Sequence, residues 1–138
     1  MTEAVQVDAS GGILTVTLKH PEKKSALTSA MYAAMSDALE RAEVDPSVRV
    51  VLFHGDGDSF TTGNDISEFS AASAGKSNEE RQSTRFIRNL TRAGKPLVAA
   101  VQGNAVGVGT TMLLHCDLVF LADTARPAKS LLRVRPDR

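Results

Sequence analysis

The sequence has little cysteine, no excess of charge of either sign and no long apolar run. Its single cysteine, Cys116, excludes an internal disulfide, and its position between two apolar runs predicts a buried thiol. Sixteen basic and sixteen acidic residues leave no net charge, which argues against a dedicated nucleic-acid binder. No apolar run approaches the roughly 20 residues that span a bilayer, and residues 1–12 are too polar for a signal peptide. We therefore expect a cytoplasmic protein whose partners include neither membrane nor nucleic acid.

The 138 residues are 42% hydrophobic and 23% charged, an ordinary composition for one soluble domain. The charge is unevenly spread: residues 125–138 hold five bases and one acid, a balance of +4, against −4 for residues 1–124. The last segment also has two prolines and no periodic apolar face. We expect residues 1–124 to form the folded part and residues 125–138 to be a disordered basic tail.

Apolar periodicity predicts the secondary structure of the rest. Alternating apolar residues around the turn Ser10-Gly11-Gly12 predict a hairpin, and a stripe from Met31 to Ala42 predicts a helix that Thr28 or Ser29 caps. A further helix is expected over residues 79–92, and the spacing turns helical again from Thr110. Buried strands are expected over residues 48–53, Leu97–Val101 and Leu118–Leu121. Strand, turn and helix recur three times, which favours an α/β fold of stacked ββα units.

Two glycine turns follow predicted strands and lead into helices: Thr62-Gly63-Asn64-Asp65 and Gly107-Val108-Gly109. The first N–H groups of a helix lack internal partners and favour a negative ligand, and glycine lets that ligand approach the backbone. Each turn could simply be a tight connection into a helix. The stretch that contains the second turn, Pro96–Asp123, is typical of a site for an anion or an oxyanion.

Three stretches carry a family resemblance. The segments HPEKKSALT (residues 20–28), GDSFTTGNDISEF (57–69) and KPLVAAVQGNAVGVGTTMLLHCDLVFLAD (95–123) resemble, in order, three signatures of the enoyl-CoA hydratase/isomerase (crotonase) superfamily. The resemblance implies a crotonase/ClpP-like spiral of repeated ββα units, here incomplete at the C-terminus. It implies an acyl-CoA thioester as the substrate, with coenzyme A as part of that substrate and no separate cofactor. Full-length relatives are expected to be homotrimers or hexamers, which leaves the assembly of this chain open.

The resemblance also assigns site residues. The backbone N–H groups of Asn64 and Val108 would form an oxyanion hole for the thioester oxygen, with Val108 standing where glycine is common. Coenzyme A would thread between two segments that line the entrance. Their substrate-binding residues are Lys24, Ser25, Ala26, Gly63, Asp65 and Ile66.

The expected reaction type depends on one acidic residue that this sequence lacks. Hydratases of this family carry an acid on the helix after the second glycine turn, where this sequence has Thr111. An enoyl-CoA double-bond isomerase is therefore expected before a hydratase, with its one carboxylate beyond Arg138 or in a segment that the basic tail replaces. The alternative is a truncated, non-catalytic remnant that binds acyl-CoA or a partner subunit. In either case truncation should expose apolar surface from Leu97–Val101 and Leu118–Leu121.

Other chemistries fit less well. His54 ends a predicted strand and His115 adjoins Cys116, and no third ligand at matching spacing suggests a metal. A nucleophilic pair of His115 and Cys116 is disfavoured, because sequence neighbours on a helix point to different sides. A dinucleotide site at the second glycine turn would need a small residue where Met112 stands.

Overall fold

The computed structural model describes residues 4–19, 27–56, 60, 82–105, 112–122 and 126–127. They form seven strands and two longer helices, with a short helical turn at residues 112–114. The elements, in chain order, are β1 (Val5–Ser10), β2 (Ile13–Leu18), α1 (Ser29–Val44), β3 (Val50–Gly55), α2 (Gln82–Arg92), β4 (Leu97–Val101), β5 (Asn104–Ala105), β6 (Leu118–Leu121) and β7 (Arg126–Pro127).

Five strands form one sheet whose spatial order, β1-β2-β3-β4-β6, follows the chain. The predicted hairpin joins β1 to β2 in antiparallel fashion, through Gly11 and Gly12 at φ values of 61° and 86° that favour glycine. The strands β2, β3, β4 and β6 are parallel to one another. Their carboxyl ends therefore lie along one edge of the sheet.

Helix α1 forms for local reasons that the sequence shows. Thr28 caps it by accepting a hydrogen bond from the Met31 N–H at 3.2 Å, and Asp45 follows its last residue. The predicted inner stripe is confirmed, because its members are buried in the core: Met31, Met35, Leu39 and Ala42.

Helix α2 packs against both α1 and the sheet. The ring centroid of Phe86 lies 5.8 Å from that of Tyr32 on α1 and 6.1 Å from that of Phe53 on β3. On the outer side, Arg85 donates to both carboxylate oxygens of Glu40 at 2.9 and 3.0 Å and to Asp37 at 2.7 Å. The hydrogen bond from Arg85 lowers the pKa of Glu40. An aromatic contact and an ionic cluster thus fix the two helices on one face of the sheet.

Two predictions about burial are wrong. Leu118–Leu121 was expected to be a buried strand, but the side chains of Leu118, Phe120 and Leu121 are 51%, 59% and 55% exposed. Leu97–Val101 was expected to expose apolar surface, but its alternate residues Leu97, Ala99 and Val101 are buried. The physical reason is position, since β4 lies between β3 and β6 whereas β6 is the last strand of the sheet among the described residues.

Cys116 is half-buried, which partly confirms the expected burial of its thiol. The strand β7 was not expected from the sequence. Arg126–Pro127 pairs in parallel with Asn104–Ala105, while residues 128–138 lie outside the described part, so the disordered tail remains a prediction. In the described part of the chain, neither helix is long and apolar enough to cross a membrane.

Candidate functional site

The strands β2, β3 and β4 end at one edge of the sheet, and a segment with predicted site residues follows each of them. In the register of the sheet Leu18 of β2 is opposite Gly55 of β3, and His54 of β3 is opposite Ala100 of β4. The segments that carry the predicted site residues leave directly from these strand ends. Ligands of parallel α/β sheets bind in the crevice beyond the carboxyl ends of the strands. The topology therefore supports one shared site, which the sequence could suggest only through the resemblance.

Hydrogen bonds join the strand ends from which the predicted site residues follow. The N–H of Asp56 donates to the Leu18 carbonyl at 2.8 Å, and the N–H of Ala122 donates to the Val101 carbonyl at 2.9 Å. Gln102 Nε2 donates to the Gly55 carbonyl at 2.7 Å. The Gln102 bond connects the end of β4 with the end of β3, so it holds the starting points of both glycine-turn segments at a fixed separation.

The sequence analysis assigned no role to Gln102. Its contact with Gly55 joins residues 47 apart in the chain. The available signal was its type and place: a long amide side chain that directly follows a buried strand can reach a neighbouring strand end. Gln102 is therefore a positioning residue that the sequence analysis missed.

His54 was predicted to end a strand, but β3 continues one residue further to Gly55, and His54 lies on the sheet face opposite the buried residues Val51 and Phe53. Its Nε2 and the Thr17 hydroxyl of β2 share a hydrogen bond of 2.9 Å. Within the described residues no group of three His, Cys, Asp or Glu side chains could hold a metal ion. The structure thus gives His54 a polar partner on the neighbouring strand.

An open cavity of about 450 Å³ lies at the same edge, within the usual size range of small-molecule sites. Ala100 forms its floor, because this small residue lies in register between His54 on β3 and Phe120 on β6. The lining is mostly apolar, with the imidazole of His54 and the amide of Gln102 as its polar side chains. The described lining residues are His54, Gly55, Ala100, Val101, Gln102, Phe120, Leu121 and Ala122.

The predicted site residues themselves lie outside the described residues. They are Lys24, Ser25, Ala26, Gly63, Asn64, Asp65, Ile66 and Val108. Their assignments therefore remain predictions, while the strands that precede them are in place. Beyond the second glycine turn, Met112 and Leu113 face the core as predicted.

Cys116 is a poor nucleophile in this structure. Its Sγ donates to the Met112 carbonyl at 3.4 Å. Burial, with a smaller contribution from the charge of Asp117, raises the pKa of Cys116 to about 11. Because the thiolate is the reactive form, the raised pKa disfavours nucleophilic attack by Cys116 at neutral pH.

We expect iodoacetamide to alkylate Cys116 slowly in the folded chain. With the pKa raised from 9.0 to about 11, the thiolate fraction at neutral pH falls by about 100-fold, one factor of ten for each unit. The rate is measured by mass spectrometry across a pH series, with the same chain unfolded in guanidinium chloride as the control. The folded-state rate should rise with pH until about pH 11, and a folded-state rate at neutral pH equal to that of the unfolded chain would contradict the burial.

The fold is a mixed, mostly parallel α/β sheet with an open, mostly apolar cavity at the carboxyl ends of its strands. The model of the Enoyl-CoA hydratase/isomerase family matches residues 8–134. The chain therefore belongs to the enoyl-CoA hydratase/isomerase family, and the predicted crotonase-type fold is confirmed.

Individual relatives agree with this assignment. The chain is 35% identical to enoyl-CoA delta isomerase 2 of Rattus norvegicus over 128 residues, covering 90% of this chain and 32% of that protein. It is 36% identical to a putative enoyl-CoA hydratase of Thermus thermophilus over 126 residues, covering 88% and 49%. The structure of OdaA from Pseudomonas aeruginosa superposes with a TM-score of 0.83 at 47% identity, covering 90% and 49%. The chain thus spans about a third to a half of the length of these relatives.

Proposed function

We propose that this chain is part of an acyl-CoA enzyme that stabilises a thioester enolate and shifts a double bond, as an isomerase rather than a hydratase. The observation that supports it is the common edge at which β2, β3 and β4 end, with Gln102 bonded to the Gly55 carbonyl at 2.7 Å. The two glycine-turn segments start side by side there. Two backbone N–H donors can then converge on one thioester oxygen.

The chemistry needs a charge stabiliser and one proton carrier. A base removes a proton from the carbon next to the double bond, and the C–H electron pair delocalises onto the thioester oxygen. The backbone N–H groups of Asn64 and Val108 donate to that oxygen, where such donors act most strongly. The same proton carrier then returns the proton to the far carbon of the original double bond, so that the new double bond lies next to the thioester. The overall reaction consumes neither water nor an external cofactor.

Hydration adds water across the double bond and is served by a pair of carboxylates. Thr111 stands where the family's hydratases have an acid, which is why isomerisation is proposed first. Coenzyme A would contact residues Lys24–Ala26 on one side and Gly63–Ile66 on the other. None of residues 1–138 is assigned as the proton carrier.

A non-catalytic role is the second candidate, as a remnant that binds acyl-CoA or a partner subunit. It is favoured by the exposed apolar residues of β6. A chain that binds acyl-CoA but does not convert it would support this second candidate over the first.

The test is to incubate the purified chain separately with a 3-enoyl-CoA and with a 2-enoyl-CoA. We expect the double bond of the 3-enoyl thioester to shift without addition of water. The rate should fall well below that of the rat isomerase assayed beside it, because an oxyanion hole without a positioned proton carrier leaves only residual acceleration.

Faster hydration of the 2-enoyl thioester than isomerisation of the 3-enoyl thioester would overturn the isomerase assignment. A rate equal to the rat enzyme would mean that an acid within residues 1–138 carries the proton. Binding with no turnover at all would favour the remnant.

A further inference from the structure

The side chain of Lys95 fastens two connections that are far apart in the chain. Its Nζ donates to the backbone carbonyls of Asp45 and Val48, at 2.7 Å in each case, across separations of 50 and 47 residues. Lys95 lies between α2 and β4, whereas both carbonyls lie between α1 and β3. The neighbouring N–H of Gly94 donates to Glu43 Oε2 at 2.7 Å and joins the same two parts of the chain.

The turn that carries the two carbonyls is shaped without Lys95. The N–H of Asp45 donates to the Arg41 carbonyl at 3.1 Å, and the N–H of Val48 donates to the Asp45 carbonyl at 3.1 Å. Oδ1 of Asp45 accepts from the N–H and the hydroxyl of Ser47, at 2.9 and 2.7 Å. Because these bonds all lie within residues 41–48, the turn should keep its shape when the lysine side chain is removed.

The surroundings of this turn favour a cation. Asp45 follows the last residue of α1, where the backbone carbonyls carry the negative end of the helix dipole. Hydrogen bonds from Ser47 hold the pKa of Asp45 below its usual value, and the charges of Arg41 and Lys95 contribute in the same direction. The carboxylate is therefore ionised at neutral pH, and it lies on the same turn as the two acceptor carbonyls.

We propose that the turn of residues 45–48 is a binding site for a primary ammonium group, which the side chain of Lys95 fills in this chain. An ammonium is a compact charge with three N–H donors, so it can serve two carbonyls at once, whereas a guanidinium is a wide planar fork suited to carboxylates. Since the acceptors belong to the backbone, they remain when Lys95 is truncated. A small alkylammonium ion should then occupy the turn in its place.

The occupied site holds the β3–β4 pair where it begins. The N–H of Val51 donates to the Pro96 carbonyl at 3.0 Å, one residue beyond Lys95. The Gln102 side chain fastens the same two strands where they end. The ammonium site thus lies at the edge of the sheet opposite the candidate functional site, and its occupation does not depend on the proposed catalysis.

Chemical rescue of Lys95→Ala tests the site. The substitution should lower the folding equilibrium constant about 10- to 100-fold, because it removes two hydrogen bonds from a charged, half-buried donor; urea denaturation followed by circular dichroism measures the change. Ethylammonium chloride at about 0.5 M should recover about sixfold of this loss, as mass action predicts for a dissociation constant of about 0.1 M. If the variant is unfolded in buffer, the same comparison is made with trimethylamine N-oxide added to favour the folded state.

Two controls separate binding from a general effect of salt. Tetramethylammonium chloride at the same concentration has the same charge but no N–H donor, so it should stabilise Lys95→Ala no more than it stabilises the wild type. Lys19→Ala is the matched variant, because the Nζ of Lys19 lies 3.8 Å from Asp56 Oδ2 at a more exposed position. This variant should respond equally to the two salts.

Amide NMR spectra locate the bound ion. Titration of ethylammonium into Lys95→Ala should shift the backbone amide signals of residues 45–48 in a saturable way, with a midpoint of about 0.1 M. The wild type should show no saturable shift at these residues, because Lys95 already fills the turn.

Equal recovery of Lys95→Ala by the two salts would overturn the proposal, and so would saturable shifts of the same size in the wild type. A Lys95→Ala chain as stable as the wild type would also overturn it, because the turn would then gain nothing from an ammonium group.

Discussion

Replacing Asn64 with proline is expected to weaken binding of a thioester enolate by about 10²-fold, because proline has no backbone N–H and loss of one oxyanion donor costs about 10²–10³ in rate. Acetoacetyl-CoA, which forms an enolate readily, and a saturated acyl-CoA of equal chain length are compared by isothermal titration calorimetry. The saturated thioester carries no developing charge, so its affinity should fall by less than about threefold.

Asn64→Ala is the control for this experiment. It removes the side chain but keeps the N–H, so both ligands should bind as they do to the parent chain. Equal losses for the two ligands in a folded Asn64→Pro variant would contradict an oxyanion role. A large loss in Asn64→Ala would show instead that the side chain carries the interaction.

Phe86→Ala is expected to cost about 3–5 kcal/mol of the free energy of unfolding. Phe86 is fully buried and contacts Tyr32 on α1 and Phe53 on β3, so its removal leaves a cavity where both helices meet the sheet. Urea denaturation followed by circular dichroism measures the change. Because domains are stable by only about 5–15 kcal/mol, the variant could lose most of its folded population.

Two further variants keep this prediction measurable. Phe86→Leu retains most of the volume and should cost about 1–1.5 kcal/mol, while Val44→Ala, at a position 80% exposed, should stay within about 0.5 kcal/mol of the parent. A Phe86→Ala loss as small as that of Val44→Ala would mean that α2 does not depend on this contact.

Local sequence determined most of the secondary structure, because the forces that select it act over a few residues. Thr28 caps α1 through the N–H of Met31, three residues away, and the stripe from Met31 to Ala42 turns inward with the helical period. The hairpin turn needed residues that tolerate positive φ, and Gly11 and Gly12 provide them. The family also followed from the sequence, because its three signatures are contiguous segments.

The roles of residues that contact partners far away in the chain could not be predicted from local sequence. Leu97–Val101 and Leu118–Leu121 are both short apolar runs, and composition cannot tell a central strand from an edge strand, since burial depends on what pairs on each side. The partner of Gln102 is a carbonyl 47 residues away, and Arg85 meets Glu40 at a separation of 45 residues. No local pattern encodes such contacts.

The same distinction between local sequence and tertiary structure applies to the candidate site. The sequence alone predicted two glycine turns with free backbone N–H groups, because such turns are properties of short segments, and the family resemblance added a thioester as their expected ligand. Only the tertiary structure decided that these segments start from adjacent parallel strands, because sheet order and register arise from packing α1 and α2 on one face. That packing brings the carboxyl ends of β2, β3 and β4 together, and among the described residues β6 is the last strand on that side of the sheet.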